Sequence, residues 1–223
     1  MLPVAVTQMP NARRPLKSRQ TGWARALAQF LVRRRISPNA ISVLSIFFAV
    51  GAGVAFYFAS PDNSFRYAQM LVIAAVAIQG RLLCNLLDGM VAVEGGRKTK
   101  SGEVFNDLPD RIADTIIFVP AGYAVHTFPF GRELGWAAAL LAVFTAYVRM
   151  MGGAAGLEQS FMGPMAKQHR MAALTAACVL SLFESWVLDT GRLLWIALII
   201  IVLGCVVTIV LRTVKIVRGL ETR

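Results

Sequence analysis

Apolar residues dominate six stretches of the chain, from about Asn39 to Ser60, Tyr67 to Leu87, Asp107 to Thr127, Glu133 to Leu157, Met171 to Leu188 and Leu193 to Val214. Each is close to the ~20 residues that a helix needs to cross a hydrocarbon core roughly 30 Å thick. The pattern predicts an all-α integral membrane protein with six transmembrane helices. Ahead of them, TGWARALAQFLVRRR sets Trp23, Leu27, Phe30 and Leu31 at helical spacing and ends in three arginines. A helix lying on an anionic membrane surface has this pattern, and so does a solvated basic tail. Ser37-Pro38-Asn39 then supplies an N-cap with proline in the first turn. The expected division is a tail and amphipathic helix over residues 1–36, followed by a six-helix membrane domain over 37–223.

Composition agrees, with 57% of the 223 residues hydrophobic and 16% charged. In a soluble chain a net charge of +11 would raise the question of nucleic acid, but here the charge follows the membrane, and no nucleic-acid partner is expected. Basic residues gather before the first stretch, around Arg97, Lys98 and Lys100, around Lys167 and Arg170, and after Arg212. Only Arg66, Arg132 and Arg192 fall on the opposite loops. That bias puts both termini in the cytoplasm and fits a bacterial inner membrane. Tyr57, Tyr67, Trp136, Trp186 and Trp195 all lie near the expected outer ends, where amphipathic rings settle. Cys84, Cys178 and Cys205 sit within the apolar stretches without a CxxC pairing and read as small core residues. No cleavable leader is apparent, so the first span is expected to direct insertion.

Between the second and third stretches the chain changes character. Asn85 to Asp114 holds Asp88, Glu94, Glu103, Asp107, Asp110 and Asp114, half of the twelve acids. Arg81, Asn85, Asp88 and Ala92 are spaced to share one helix face, and Asn106, Asp110 and Asp114 to share another, with Asp107 beside them. An ionised group near the bilayer centre costs roughly 2.5–3.5 kcal/mol on insertion scales, so these acids need cations, water or a function. Bound metal would satisfy them. A structural reading competes: Asn106 or Asp107 caps the third helix, Pro109 occupies its first turn, and Asp110 pairs with Arg111.

These residues resemble the motif of the CDP-alcohol phosphatidyltransferase family, D-x2-D-G-x2-A-R-x8-G-x3-D-x3-D. Asn85, Asp88, Gly89, Ala92, Gly102, Asn106 and Asp110 fall in its spacing without a gap. DRIAD, from Asp110 to Asp114, and SPNAIS, from Ser37, are similar to further stretches of the family. The resemblance implies attack by an alcohol on a CDP-linked lipid, usually CDP-diacylglycerol, with CMP released. It also implies Mg²⁺ or Mn²⁺ as cofactor and a homodimer. Asn85, Asp88, Asn106 and Asp110 would then be metal ligands, with Asp110 a ligand or the catalytic base. Gly89 and Gly102, like Ala92, would let the nucleotide approach the backbone.

Three positions depart from the motif: Asn85 and Asn106 replace its first and third aspartates, and Val93 its arginine. Four aspartates would balance two divalent ions, whereas Asp88 and Asp110 supply half that charge. Asp107 and Asp114 are the candidates to restore it, and Arg97 the candidate to replace the arginine. Lys167 and Arg170, in GPMAKQHR beside His169, together with Arg149, are candidates to hold a phosphate of donor or acceptor. Topology alone would also place basic residues there. Two other functions compete with the transferase: a cation- or proton-coupled transporter using the same buried acids, and a relative that binds CDP-lipid without turnover.

Overall fold

The computed structural model of the chain describes residues 21–60, 62–95, 102–186 and 190–222, without the side chains of residues 103, 106, 185 and 186. The basic residues expected in the first 20 positions, and Arg97, Lys98 and Lys100, lie outside the described residues. Every described element is helical: α1 (Gly22–Arg33), α2 (Pro38–Phe58), α3 (Ser64–Glu94), α4 (Gly102–Tyr123), α5 (Gly131–Ala154), α6 (Lys167–Leu180) with a 3-10 turn over Ser181–Trp186, and α7 (Arg192–Glu221).

Ser37 and Pro38 start α2 as their types require: the Ser37 hydroxyl accepts from the Ala40 amide at 3.2 Å, and proline fills the first helical position. Asn63 caps α3 in the same way, accepting from the Arg66 amide. At the far end of α1 the chain turns through Arg35 at φ 57°, with the Ile36 amide reaching back to the Leu31 carbonyl. That closure usually takes glycine.

Among the described residues four helices are long and apolar enough to cross a membrane: α2, α3, α5 and α7. The two remaining expected spans correspond to α4 and α6, and each falls short for a physical reason. α4 carries Asp107, Asp110, Arg111 and Asp114 in its first half. α6 has only 14 α-helical residues before it tightens at Ser181.

Neighbouring helices close a ring: α3 packs on α2, α2 on α4, α4 on α5, α5 on α7, α7 on α6 and α6 back on α3. Alanines such as Ala49, Ala52, Ala74, Ala121, Ala138 and Ala142 fill much of the core. Small residues let backbones approach where lipid gives little hydrophobic drive for association. At the α4–α5 crossing, a Cβ on Gly122 would lie 2.7 Å from both the Gly131 carbonyl oxygen and the Gly135 Cα. Gly122→Val therefore overpacks a contact made of backbone, and we expect a loss of about 1–3 kcal/mol, read as a lower melting temperature in detergent.

α1 lies outside the ring, with Ala24 and Ala28 buried against Cys84, Leu87 and Val91 of α3, and Trp23 and Phe30 exposed. Opposite, Glu184 of the 3-10 turn is buried and starts α7, its carboxylate accepting from the Gly191 amide at 2.7 Å and from the Leu193 amide. Glu184→Gln leaves one of these amides with a poorer acceptor. We expect it to cost about 1–3 kcal/mol, with thermal melting as the check.

Candidate active site

At the α1 end of the ring, every ring helix contributes a polar side chain to one buried network. From α2, the Ser42 hydroxyl donates to Asp88 Oδ2 at 2.7 Å. Asp88 and Arg81 come from α3, two turns apart and both buried. From α4, Asp110 and Asp114 face inward, and from α6 so do Lys167 and Arg170. α5 adds Thr145, and α7 adds Arg212, whose Nη1 donates to the Thr145 carbonyl at 2.5 Å.

Asp114 is the most enclosed member. Its Oδ1 accepts from Arg81 at 2.8 Å and its Oδ2 from Arg170 at 2.9 Å, with all three side chains at most 1% exposed. Arg170 also donates to the Thr145 hydroxyl at 3.0 Å and to the Met165 carbonyl at 2.8 Å. Its position joins α4, α5, α6 and the loop before α6. Arg81 Nη2 reaches, besides Asp114, the Asp110 carbonyl at 3.2 Å and Asp110 Oδ1 at 3.5 Å. Arg81 Nε and Nη1 have no partner among the described residues. Buried unpaired donors cost about 1–3 kcal/mol each, and the two carboxylates on Nη2 offset that.

Asp110 is the hub. Its Oδ1 pairs with the Lys167 ammonium, and Arg111 lies 3.8 Å from its Oδ2. Asp88 stands within electrostatic reach of both Asp110 and Lys167. One turn along α3, Asn85 has a buried Nδ2 without a partner among the described residues. Asp107, at the mouth, has both oxygens on Arg149 Nη2, at 2.7 and 2.5 Å, and the Arg149 guanidinium stacks 5.3 Å over the Phe161 ring of the α5–α6 loop.

The expected site residues therefore divide. Asp88, Asp110 and Lys167 converge, with Asn85 beside them, whereas Asp114 and Arg170 bind each other deeper in the ring. Asp107 turns to α5. Gly102 is the first residue of α4, and the Asn106 side chain lies outside the described residues. The capping alternative is corrected: α4 begins at Gly102, so neither Asn106 nor Asp107 is its N-cap, and Pro109 sits inside the helix rather than in its first turn. Four participants went unassigned from sequence. Arg81 and Arg212 carry a signal, since an arginine in an apolar span needs a partner. Ser42 and Thr145 carry none.

A family model described as CDP-alcohol phosphatidyltransferase matches residues 35–210, most of the chain and every residue of this network except Arg212. The chain belongs to the CDP-alcohol phosphatidyltransferase family. It is an integral membrane enzyme of that class, transferring a phosphatidyl or related group from a CDP-linked lipid to an alcohol with release of CMP. Among similar proteins, the phosphatidylinositol phosphate synthase of Streptomyces avermitilis is 27% identical over 197 residues, covering 86% of this chain and 76% of that protein. An uncharacterized protein of Aquifex aeolicus is 25% identical over 201 residues, covering 88% and 90%. The same fold is found in crystal structures of Mycobacterium tuberculosis phosphatidylinositol phosphate synthase. The form with CDP-DAG bound gives a TM-score of 0.71 at 20% identity, covering 86% of this chain and 92% of that one. The complex with manganese and citrate gives 0.70 at 20% identity, covering 86% and 88%.

Phosphatidyltransferases of this family use divalent metal, and the donor set here suits one. Asp88 and Asp110 offer carboxylate oxygens, and half a turn of the unpartnered Asn85 amide would present its carbonyl oxygen. Among the described residues no three His, Cys, Asp or Glu side chains group as metal ligands. All-oxygen donors of mixed charge are what Mg²⁺ or Mn²⁺ accepts.

Proposed function

We propose that the phosphatidyltransferase reaction takes place at Asp88 and Asp110, with CDP-diacylglycerol as donor and a phosphate-bearing alcohol as acceptor. The observation that carries the reading is the meeting of Asp110 from α4 and Lys167 from α6 with Arg81 of α3, two turns from the buried Asp88 on the same helix. Asn85, Asp88, Asn106 and Asp110 would hold the divalent ion, which when bound neutralises diphosphate charge and favours the attacking hydroxyl. Asp110 also accepts the alcohol's proton. The alcohol oxygen forms its bond to the β-phosphorus as the bond to CMP breaks, and CMP leaves with the bridging oxygen. Gly89, Ala92 and Gly102 leave room for the nucleotide. Lys167 exchanges its Asp110 contact for a substrate phosphate, and Arg149 lies close enough to the mouth to do the same with Asp107 as its resting partner.

The acceptor class is supported by these cations and by the likeness to the Streptomyces avermitilis synthase, whose name specifies a phosphatidylinositol phosphate product. We further propose six spans, with α4 and α6 crossing inside the shelter of α2, α3, α5 and α7, and with α1 on the cytoplasmic surface of a bacterial inner membrane. Exposed Trp23 and Phe30 beside Arg33 and Arg34 support that placement of α1. Ala24 and Ala28, buried against α3, support a helix held on the membrane domain.

The test is CMP release by purified protein given CDP-diacylglycerol and a panel of inositol phosphate, glycerol phosphate, inositol, glycerol and serine. Turnover with the phosphorylated acceptors and little with the neutral ones is expected. Preference for a neutral alcohol would sink the acceptor assignment, and release with none of them would favour a relative that binds without turnover.

A further inference from the structure

The charges at the site are already in excess on the positive side. Asp88, Asp107, Asp110 and Asp114 are its carboxylates, and Arg81, Arg111, Arg149, Lys167 and Arg170 are the cations within 4.0 Å of one or another of the last three. Five cations face four anions before any metal binds. Asp114 is neutralised twice over, by Arg81 and Arg170, and Asp107 is closed by Arg149. Asp110 already faces Arg81, Arg111 and Lys167, and once Lys167 turns to a substrate phosphate, Asp88 and Asp110 together match a single divalent ion. A second ion would add two more buried positive charges with no further carboxylate among the described residues to face them, which is strongly disfavoured where water is scarce.

Position agrees with charge. Arg81 lies one turn along α3 from Asn85 and on the same face, and its guanidinium reaches across to the α4 carboxylates. It therefore brings a fixed positive charge onto Asp110. An aspartate at 85 would add a negative charge one turn from Arg81 and would favour a second ion. Asn85 and the buried arginine thus act in the same direction.

We infer that this site takes one divalent cation, held by Asp88, Asp110 and the Asn85 amide, and that the Arg81 guanidinium supplies at Asp110 the charge a second ion would bring. The inference rests on the phosphatidyltransferase reading of the site and adds to it a stoichiometry and a role for Arg81.

Titration of the full-length protein in lipid nanodiscs with MnCl2, following loss of the free Mn²⁺ signal by electron paramagnetic resonance, counts bound ions without reference to turnover. One ion per chain is expected for the wild type and for Asn85→Asp/Asn106→Asp, in which Arg81 still blocks the second position. Two are expected for Asn85→Asp/Asn106→Asp/Arg81→Gln. Two ions on the wild type overturn the inference and leave the transferase reading intact. So does a second ion on the variant that keeps Arg81, or a triple variant that stays at one. No bound ion on the wild type overturns it as well, and accompanied by absent CMP release it overturns the reading of the site with it. Should the triple variant fail to fold, the wild type and the double variant still decide the stoichiometry and the blocking role.

Discussion

Asp88→Asn and Asp110→Asn are each expected to lower CMP release about a thousandfold or more while the protein still inserts and melts near the wild-type temperature. Both changes keep shape and remove charge. At position 88 an asparagine carbonyl still accepts from the Ser42 hydroxyl, which now reaches Oδ2 at 2.7 Å, so the α2–α3 contact survives. At position 110, Arg81 retains Asp114 and the backbone carbonyl of residue 110, Arg111 retains Asp114, and among the described residues Lys167 alone of the three cations on Asp110 is left without a carboxylate. The fold therefore has little reason to fail, whereas a divalent ion loses half of its matching charge and the alcohol loses its proton acceptor. Ser42→Ala serves as the graded control. It frees an Asp88 oxygen without changing charge, and a loss of roughly tenfold is expected. The measurement is radiolabelled CMP release per folded molecule. More than a tenth of wild-type activity in either aspartate variant would put the chemistry elsewhere.

How much of this arrangement the sequence disclosed depends on whether a local rule or a tertiary contact decided each feature. The start of α2 was legible because Ser37 and Pro38 act on the nearest turn of backbone. The convergence of Asp88 and Asp110 was legible because spacings of three and four residues put groups on one helix face wherever that helix lies. The start of α4 was not. Its first half is acidic and contains Pro109, two features that locally signal a loop or a first turn, yet the helix runs from Gly102. Buried arginines make its inward acids affordable, and those arginines are 29 to 56 residues away in sequence. The end of α6 failed for a similar reason: apolar residues continue past Leu180, but Glu184 is drawn to the amides that begin α7 and the backbone tightens to a 3-10 turn. Spacing likewise grouped Asp114 with the reactive acids, because it shares their face, and said nothing about which cation each carboxylate would meet.

That distinction can be measured. Asp114→Ala is expected to destabilise the protein by about 3–5 kcal/mol, on the order of 10 °C in melting temperature, because it strands two fully buried guanidinium groups at once. Arg170→Met should cost less, since Arg81 continues to hold Asp114 at 2.8 Å. Combining the two should cost less than their sum: once Asp114 is absent, replacing Arg170 removes an unpaired buried charge instead of creating one. The coupling expected from such a cycle is about 1–3 kcal/mol. An aspartate that bound substrate or metal would behave differently. Asp114→Ala would then leave the melting temperature in place, or raise it by removing a desolvated charge, while CMP release collapsed and the change did not couple to Arg170. The Asp88 variant provides the internal contrast, with activity lost and stability kept. If Asp114→Ala gives the same pair of results, Asp114 belongs with the reacting groups and the ring's interior is held together by its alanine packing alone.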